Sequence, residues 1–339
     1  MSAWLVAVLA QAVAVAQAAP EVSSTALVTV AEASTRPAEC TAPRGARTTL
    51  WQRARSPKLA AYCDLLGRGY ARLERAPEQA LDAAKQASQA RPNGVAARVL
   101  EGRALLALGR YGEALARLLE ARDRSSRSLE APGALHDLGT AALLAGRSEV
   151  ALSAYRSLVP RAGLLGDALR RQNVYVEAAA IVMQASALDE AVGYLGEARR
   201  RGSPPGTRDV VLAALALALD RQGRVDEARG VAAEASGPYL LAARAAEQRG
   251  DAGKEGDAEA AKPEAPPAAV PERARSWPVL PPGELDAMVA ILAERSDREL
   301  AREAWRSFLA SAASRGPWAD HARKHLASLE AVRARGGGR

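Results

Sequence analysis

One stretch decides the fold: Val95 to Arg124, VAARVLEGRALLALGRYGEALARLLEARDR, reads as two amphipathic helices broken at Leu108-Gly109-Arg110-Tyr111. Its apolar residues are mostly Ala and Leu, which are strong helix formers, and a Gly placed after the first helix supplies a left-handed cap that turns the chain back. Gly102, Ala114 and Ala121 are small where paired helix backbones approach too closely for a larger side chain.

The same marks recur on both sides. Upstream, the unit closed by Pro92 carries Glu78-Gln79-Ala80-Leu81, Ala84 and Ala87, although its first helix has Gly67-Arg68 where Leu-Gly is usual. Downstream come Leu138-Gly139, Gly146-Arg147 and Ala151-Leu152 with Tyr155, then Asp189-Glu190-Ala191-Val192, then Gly223-Arg224 with Glu227-Ala228-Arg229. The anchoring residues Ala80, Ala114, Ala151, Ala191 and Ala228 stand 34, 37, 40 and 37 positions apart. Together these units resemble the tetratricopeptide repeat family over about residues 57–250, with Gly109 as the cap, Tyr111 as a packing residue, and Gly102 and Gly139 at close crossings. The resemblance implies an all-α, right-handed superhelical solenoid of helical hairpins that binds other proteins.

Composition agrees. The 339 residues are 48% hydrophobic but only 4% aromatic, with one Phe and two Ile, Ile181 and Ile291. Sheets want β-branched and aromatic side chains, so a sandwich, barrel or doubly wound sheet is not expected and an all-α fold is. The net charge of +7 is spread among 46 basic and 39 acidic residues without a one-sided run, so nucleic acid is not expected as a partner.

Residues 1–18, MSAWLVAVLAQAVAVAQA, carry no charge, an apolar run from Trp4 to Ala16 and small-residue sites. That layout predicts a signal peptide cut after Ala18, on a bacterial exported protein, although a basic residue before the run is missing. The competing reading is an uncleaved inner-membrane anchor. Residues 19–56 form an N-terminal segment or cap. In an oxidising compartment Cys40 and Cys63 can pair, which would pin that segment, including Trp51, over the first repeat; two free thiols are the alternative.

From 251 to 283 the chain turns to Pro, Ala, Glu and Gly, the composition of a flexible linker, with Trp277 near its end as a docking residue. Residues 284–334 read as three helices: one more hairpin, with Ala301, Trp305 and Phe308 on one face, and a capping helix after Gly316-Pro317. Residues 335–339 read as a tail.

No nucleophile motif, phosphate-binding loop or C-x-x-C occurs, so no catalytic residue, cofactor or small-molecule substrate is expected, and an enzyme with an unrecognised site is the weakest reading. His321 and His325 share a helix face but lack the Glu of the metalloprotease pattern and an evident third ligand; solvated surface histidines and no metal are expected. By resemblance, partners bind a concave groove lined by first helices: Leu65, Gly69 and Arg72; Val99, Arg103 and Leu106; His136, Thr140 and Leu143; Asn173, Val176 and Ala180; Ala213, Leu217 and Asp220. Leu65, Gly69, Val99 and Arg103 replace the Lys and Asn by which some family members clamp a carboxylate, which points to a helix or apolar peptide as partner. The alternative is that these side chains only pack the superhelix. The expectation is a non-catalytic periplasmic adaptor of a cell-envelope assembly, or else a membrane-tethered regulatory subunit.

Overall fold

The computed structural model describes residues 38–40, 57–203, 207–235 and 277–336, and every regular element among them is helical. The signal-peptide segment, Trp51 and most of the Pro-rich stretch lie outside the described residues. Ten α-helices pair in chain order as five hairpins: α1 (Pro57–Arg72) with α2 (Pro77–Ala90), α3 (Val95–Ala107) with α4 (Tyr111–Arg124), α5 (Pro132–Leu144) with α6 (Ser148–Leu158), α7 (Ala168–Gln184) with α8 (Leu188–Arg200), and α9 (Arg208–Arg221) with α10 (Val225–Glu234). Each second helix also packs on the first helix of the next hairpin, so the molecule is an all-α solenoid of stacked hairpins. Among the described residues no helix is long and apolar enough to cross a membrane.

The anchoring alanines explain the register. Ala80, Ala114, Ala151, Ala191 and Ala228 are 0–2% exposed, and the N–H of each donates to the carbonyl four residues back, closing the first turn of its second helix. Glycine makes the crossings tight: a Cβ on Gly102 would lie 2.7 Å from Leu118 Cγ, and one on Gly139 2.6 Å from the Tyr155 ring. Hairpins two to five share one turn, in which Arg110, Arg147, Ala187 and Arg224 each donate a backbone N–H to the carbonyl five residues back. That closure needs a left-handed residue just before the donor. Gly109, Gly146 and Gly223 provide it at φ of +74°, +70° and +80°, and Ser186 does so at +57°. On the outer side, Arg156 with Glu190 and Arg199 with Glu234 pair successive second helices at 2.7 and 2.9 Å; such exposed pairs add at most about 1 kcal/mol each.

At the N-terminal end, Cys40 and Cys63 are joined by a disulfide. The short 3-10 turn Ala38–Cys40 is thereby held to α1, and the Glu39 carboxylate accepts the Val95 and Ala96 N–H groups at the start of α3. A helix N-terminus has free donors and a partial positive charge, so a carboxylate there stabilises it.

At the other end lie α11 (Glu284–Ala293), α12 (Arg298–Ala310) and α13 (Ala319–Gly336), the last running two residues into the expected tail. α11 and α12 form a sixth hairpin, whose Ala301 N–H bonds to the Asp297 carbonyl as in the other five. Trp305 and Phe308, edge-to-face at 6.0 Å, fill its core. α11 lies chiefly against α9, a first helix, rather than against α10, the second helix that a regular stack would use.

Candidate functional site

That change of partner divides the groove face in two. In the first three hairpins it is open: Arg72 is exposed, and Leu65, Arg103, Leu106, His136 and Leu143 are half-buried. In the last two hairpins it is covered by the chain itself. α9 is buried from Asp209 through Arg221, and α7 from Gln172 through Met183. Of the positions assigned to the groove, Asn173, Val176, Ala180, Ala213, Leu217 and Asp220 are therefore buried, and within the open half Gly69, Val99 and Thr140 are buried as well.

A buried polar network marks the boundary. Glu177 on α7, 1% exposed, accepts hydrogen bonds from the Tyr155 hydroxyl at 2.9 Å, from His136 Nε2 at 2.8 Å and from the backbone N–H of Val279 at 2.8 Å. Burial alone would raise its carboxyl pKa, but the charge and hydrogen bond of His136, then the Val279 N–H and the Tyr155 hydroxyl, hold it below the ordinary value. The Tyr155 hydroxyl is driven well above its usual pKa by burial and by Glu177. Beside them Asp137 pairs with Arg103 at 2.5 Å and Arg170 at 3.5 Å. Burial works against its charge, yet Arg103, Arg170 and His136 keep its pKa low. Through Val279, the segment Trp277 to Pro281 is fastened across this network; Pro278 and Pro281 are buried and Trp277, Val279 and Leu280 half-buried. These last residues of the Pro-rich stretch are thus packed, where composition alone implied a flexible linker.

Three further contacts hold the C-terminal helices. Arg221 on α9 and Glu284 on α11, with side chains 1% and 0% exposed, form an ion pair at 3.0 Å, and Gln184 also donates to Glu284. Trp318 donates its indole N–H to the Met183 carbonyl at 3.0 Å while the Arg221 guanidinium stacks 4.8 Å from its ring. His321 and His325, on α13, are not solvated: their side chains are 23% and 20% exposed, and both point Nε2 at Oδ2 of buried Asp220, at 2.6 and 3.0 Å. His325 Nδ1 lies 2.7 Å from Glu294 Oε1, which also accepts the Trp305 indole N–H at 2.9 Å. Burial opposes the His325 charge, but hydrogen bonds to Asp220 and Glu294 raise its pKa to about 9. The i, i+4 spacing gave the shared face of the two rings. Their acidic partner stands 101 residues upstream of His321, and no local pattern points to it.

The sequence matches no protein-family model and no curated protein. Among solved structures, the APC/C hetero-tetramer Cut9-Hcn1 matches with a TM-score of 0.39 and 12% identity over 82% of this chain and 44% of that one. Naa15/Naa10 bound to HypK-THB matches with a TM-score of 0.37 and 17% identity over 80% of this chain and 39% of that one. The chain thus spans less than half the length of either protein it resembles.

Proposed function

We propose that this protein is a non-catalytic scaffold that holds an extended apolar peptide of another protein on the open inner face of its first three hairpins, as an adaptor of a periplasmic envelope assembly. One observation carries the binding mode. The chain's own Trp277-Pro278-Val279-Leu280-Pro281 lies at the boundary of that face, with the Val279 N–H bonded to Glu177 and Trp277 and Leu280 packed against the apolar core. An extended, Pro-containing segment gives up little conformational entropy on binding, which is why such peptides suit grooves of this kind. Leu65, Leu106 and Leu143, half-buried on the first helices of these three hairpins, leave apolar surface open to such a peptide, and Arg72, on the same helix as Leu65, is exposed. The apolar run of residues 1–18 supports export, and the Cys40–Cys63 bond suits an oxidising compartment.

The test places a photo-crosslinking residue at Leu106, at Leu143 and, as an outer-face control, at Ser153, in cells expressing the full chain. Adducts from the two inner positions alone, lost when the exposed Arg72 is changed by Arg72→Glu, support the reading. Equal labelling from Ser153, or none from the inner positions, overturns it. Fractionation with intact-mass measurement decides the compartment, because cleavage after Ala18 removes a defined mass and an uncleaved anchor does not.

A further inference from the structure

We propose that Asp220, His321 and His325 form a divalent-cation site of zinc type that fastens the C-terminal helices to the fifth hairpin. Among the described residues these are the one group whose three donor atoms, two imidazole nitrogens and a carboxylate oxygen, lie within 4.8 Å of one another. They come from α9 and α13, so a single ion would bridge two elements 101 residues apart in sequence. The inference is independent of what binds the open groove.

The surroundings are built as those of a metal ligand set. A metal-bound histidine normally gives its other ring N–H to a carboxylate, which fixes the tautomer and the ring plane. His325 does this, with Nδ1 on Glu294, and Glu294 is fixed in turn by the Trp305 indole. Nε2 of His325 is thereby turned toward Asp220. Apolar walls stand around the donors: the Trp305 ring lies 5.1 Å from His325 and the Trp318 ring 6.0 Å from His321. Two nitrogens and one carboxylate oxygen are a donor set that zinc accepts in tetrahedral geometry, with one position left over. Asp220, His325 and Glu294 also line a cleft of about 230 Å³, which gives that position access to water.

The same atoms have two modes of closure. Without an ion, protons on the two Nε2 atoms bridge to Asp220 Oδ2 at 2.6 and 3.0 Å. A zinc ion takes their place: the Nε2 proton of His325 leaves to solvent while its Nδ1–H goes on donating to Glu294, and His321 binds through Nε2 as the neutral ring with its proton on Nδ1. In a tetrahedron whose bonds are about 2.0–2.1 Å the donors stand about 3.3 Å apart, so the carboxylate oxygen and each imidazole nitrogen move apart from 2.6 and 3.0 Å.

The experiment uses untagged full chain, stripped with chelator, dialysed and titrated with zinc sulfate by calorimetry in two buffers of different ionisation enthalpy. The expected result is one zinc per chain, proton release, and a melting temperature that rises with free zinc. His321→Ala and His325→Ala should each weaken binding at least 100-fold, Glu294→Gln about 10- to 100-fold, and Ser153→Ala, on the exposed outer face, not at all. Absence of one-to-one uptake by the unmodified chain, or uptake that survives in either single variant, overturns the proposal. Should a variant lose its helical signal, the cobalt(II) spectrum of the unmodified chain decides. Tetrahedral ligand-field bands support the site, and an octahedral spectrum refutes it.

Discussion

Helices α3 and α9 hold equivalent places, each the first helix of its hairpin, yet α3 leaves Arg103 and Leu106 half-buried whereas α9 is buried on every side from Asp209 to Arg221. The difference shows in their residues. α3 interleaves Arg98, Glu101 and Arg103 with Ala and Leu, while α9 reads VVLAALALAL between its charged ends. A helix that is apolar all round has no face for water and must be enclosed. The hairpin stack encloses three sides, and the C-terminal helices supply the fourth. The repeat pattern therefore describes two structural halves of one array, an inner face kept open and an inner face closed by the chain's own end.

The largest test breaks the closed half. Glu284→Ala leaves Arg221 buried without its counter-charge, and removing one partner of such a pair costs about 3–5 kcal/mol. Urea unfolding should show that loss, with protease sensitivity appearing first in residues 284–336 while the first three hairpins keep their helical signal. Reduction addresses the open half: opening the Cys40–Cys63 bond, which closes a loop of 23 positions, should lower stability by on the order of 3 kcal/mol. The two effects should add to within about 0.5 kcal/mol, because the sites share no partner; strong non-additivity would mean that the halves do not act separately.

Gly102→Val probes the open half at a helix crossing, where the new side chain meets Leu118. Overpacking there should cost about 1–3 kcal/mol in a thermal melt. Acid tests the boundary. Because the Glu177 pKa is depressed below its ordinary 4.5, its stabilising contribution is complete above that value and is lost as pH falls through the lower folded-state pKa. The denaturation midpoint of the unmodified chain should therefore decline below about pH 4.5, and Glu177→Gln should flatten that decline. A variant with an unchanged acid limb would show that the network with His136, Tyr155 and Val279 does not hold the charge. The smallest effect is a gain: Ser186→Gly, at the one hairpin closure that uses a side-chain-bearing residue at positive φ, should stabilise by up to about 1 kcal/mol.

The hairpins were legible because their signals are local. Gly102, Gly109 and Ala114 lie within one 30-residue stretch, and the close crossings they permit depend only on neighbours. The fourth closure carries no Gly, so Ser186 hid the turn from a reading based on glycine, although Asp189-Glu190-Ala191 still marked the helix after it. The groove was half legible. First helices were placed correctly, but Leu217 could be recognised as covered only from the unbroken apolar run of α9, a signal that repeat matching does not use, and Asn173 and Val176, on α7 beside Glu177, carry no such run. The His321, His325 and Asp220 cluster was illegible, since its members meet only after α13 has packed on α9.

The contact of Val279 with Glu177 also orders events in time. Each hairpin closes between residues a few tens of positions apart, whereas Val279 reaches back 102 positions to Glu177 and Trp318 reaches back 135 to Met183. Chain closure over such distances is slower than hairpin formation, and synthesis runs from the N-terminus. The first five hairpins therefore close before residues 277–336 dock, and until then the inner faces of α7 and α9 are bare apolar surface that the finished molecule covers.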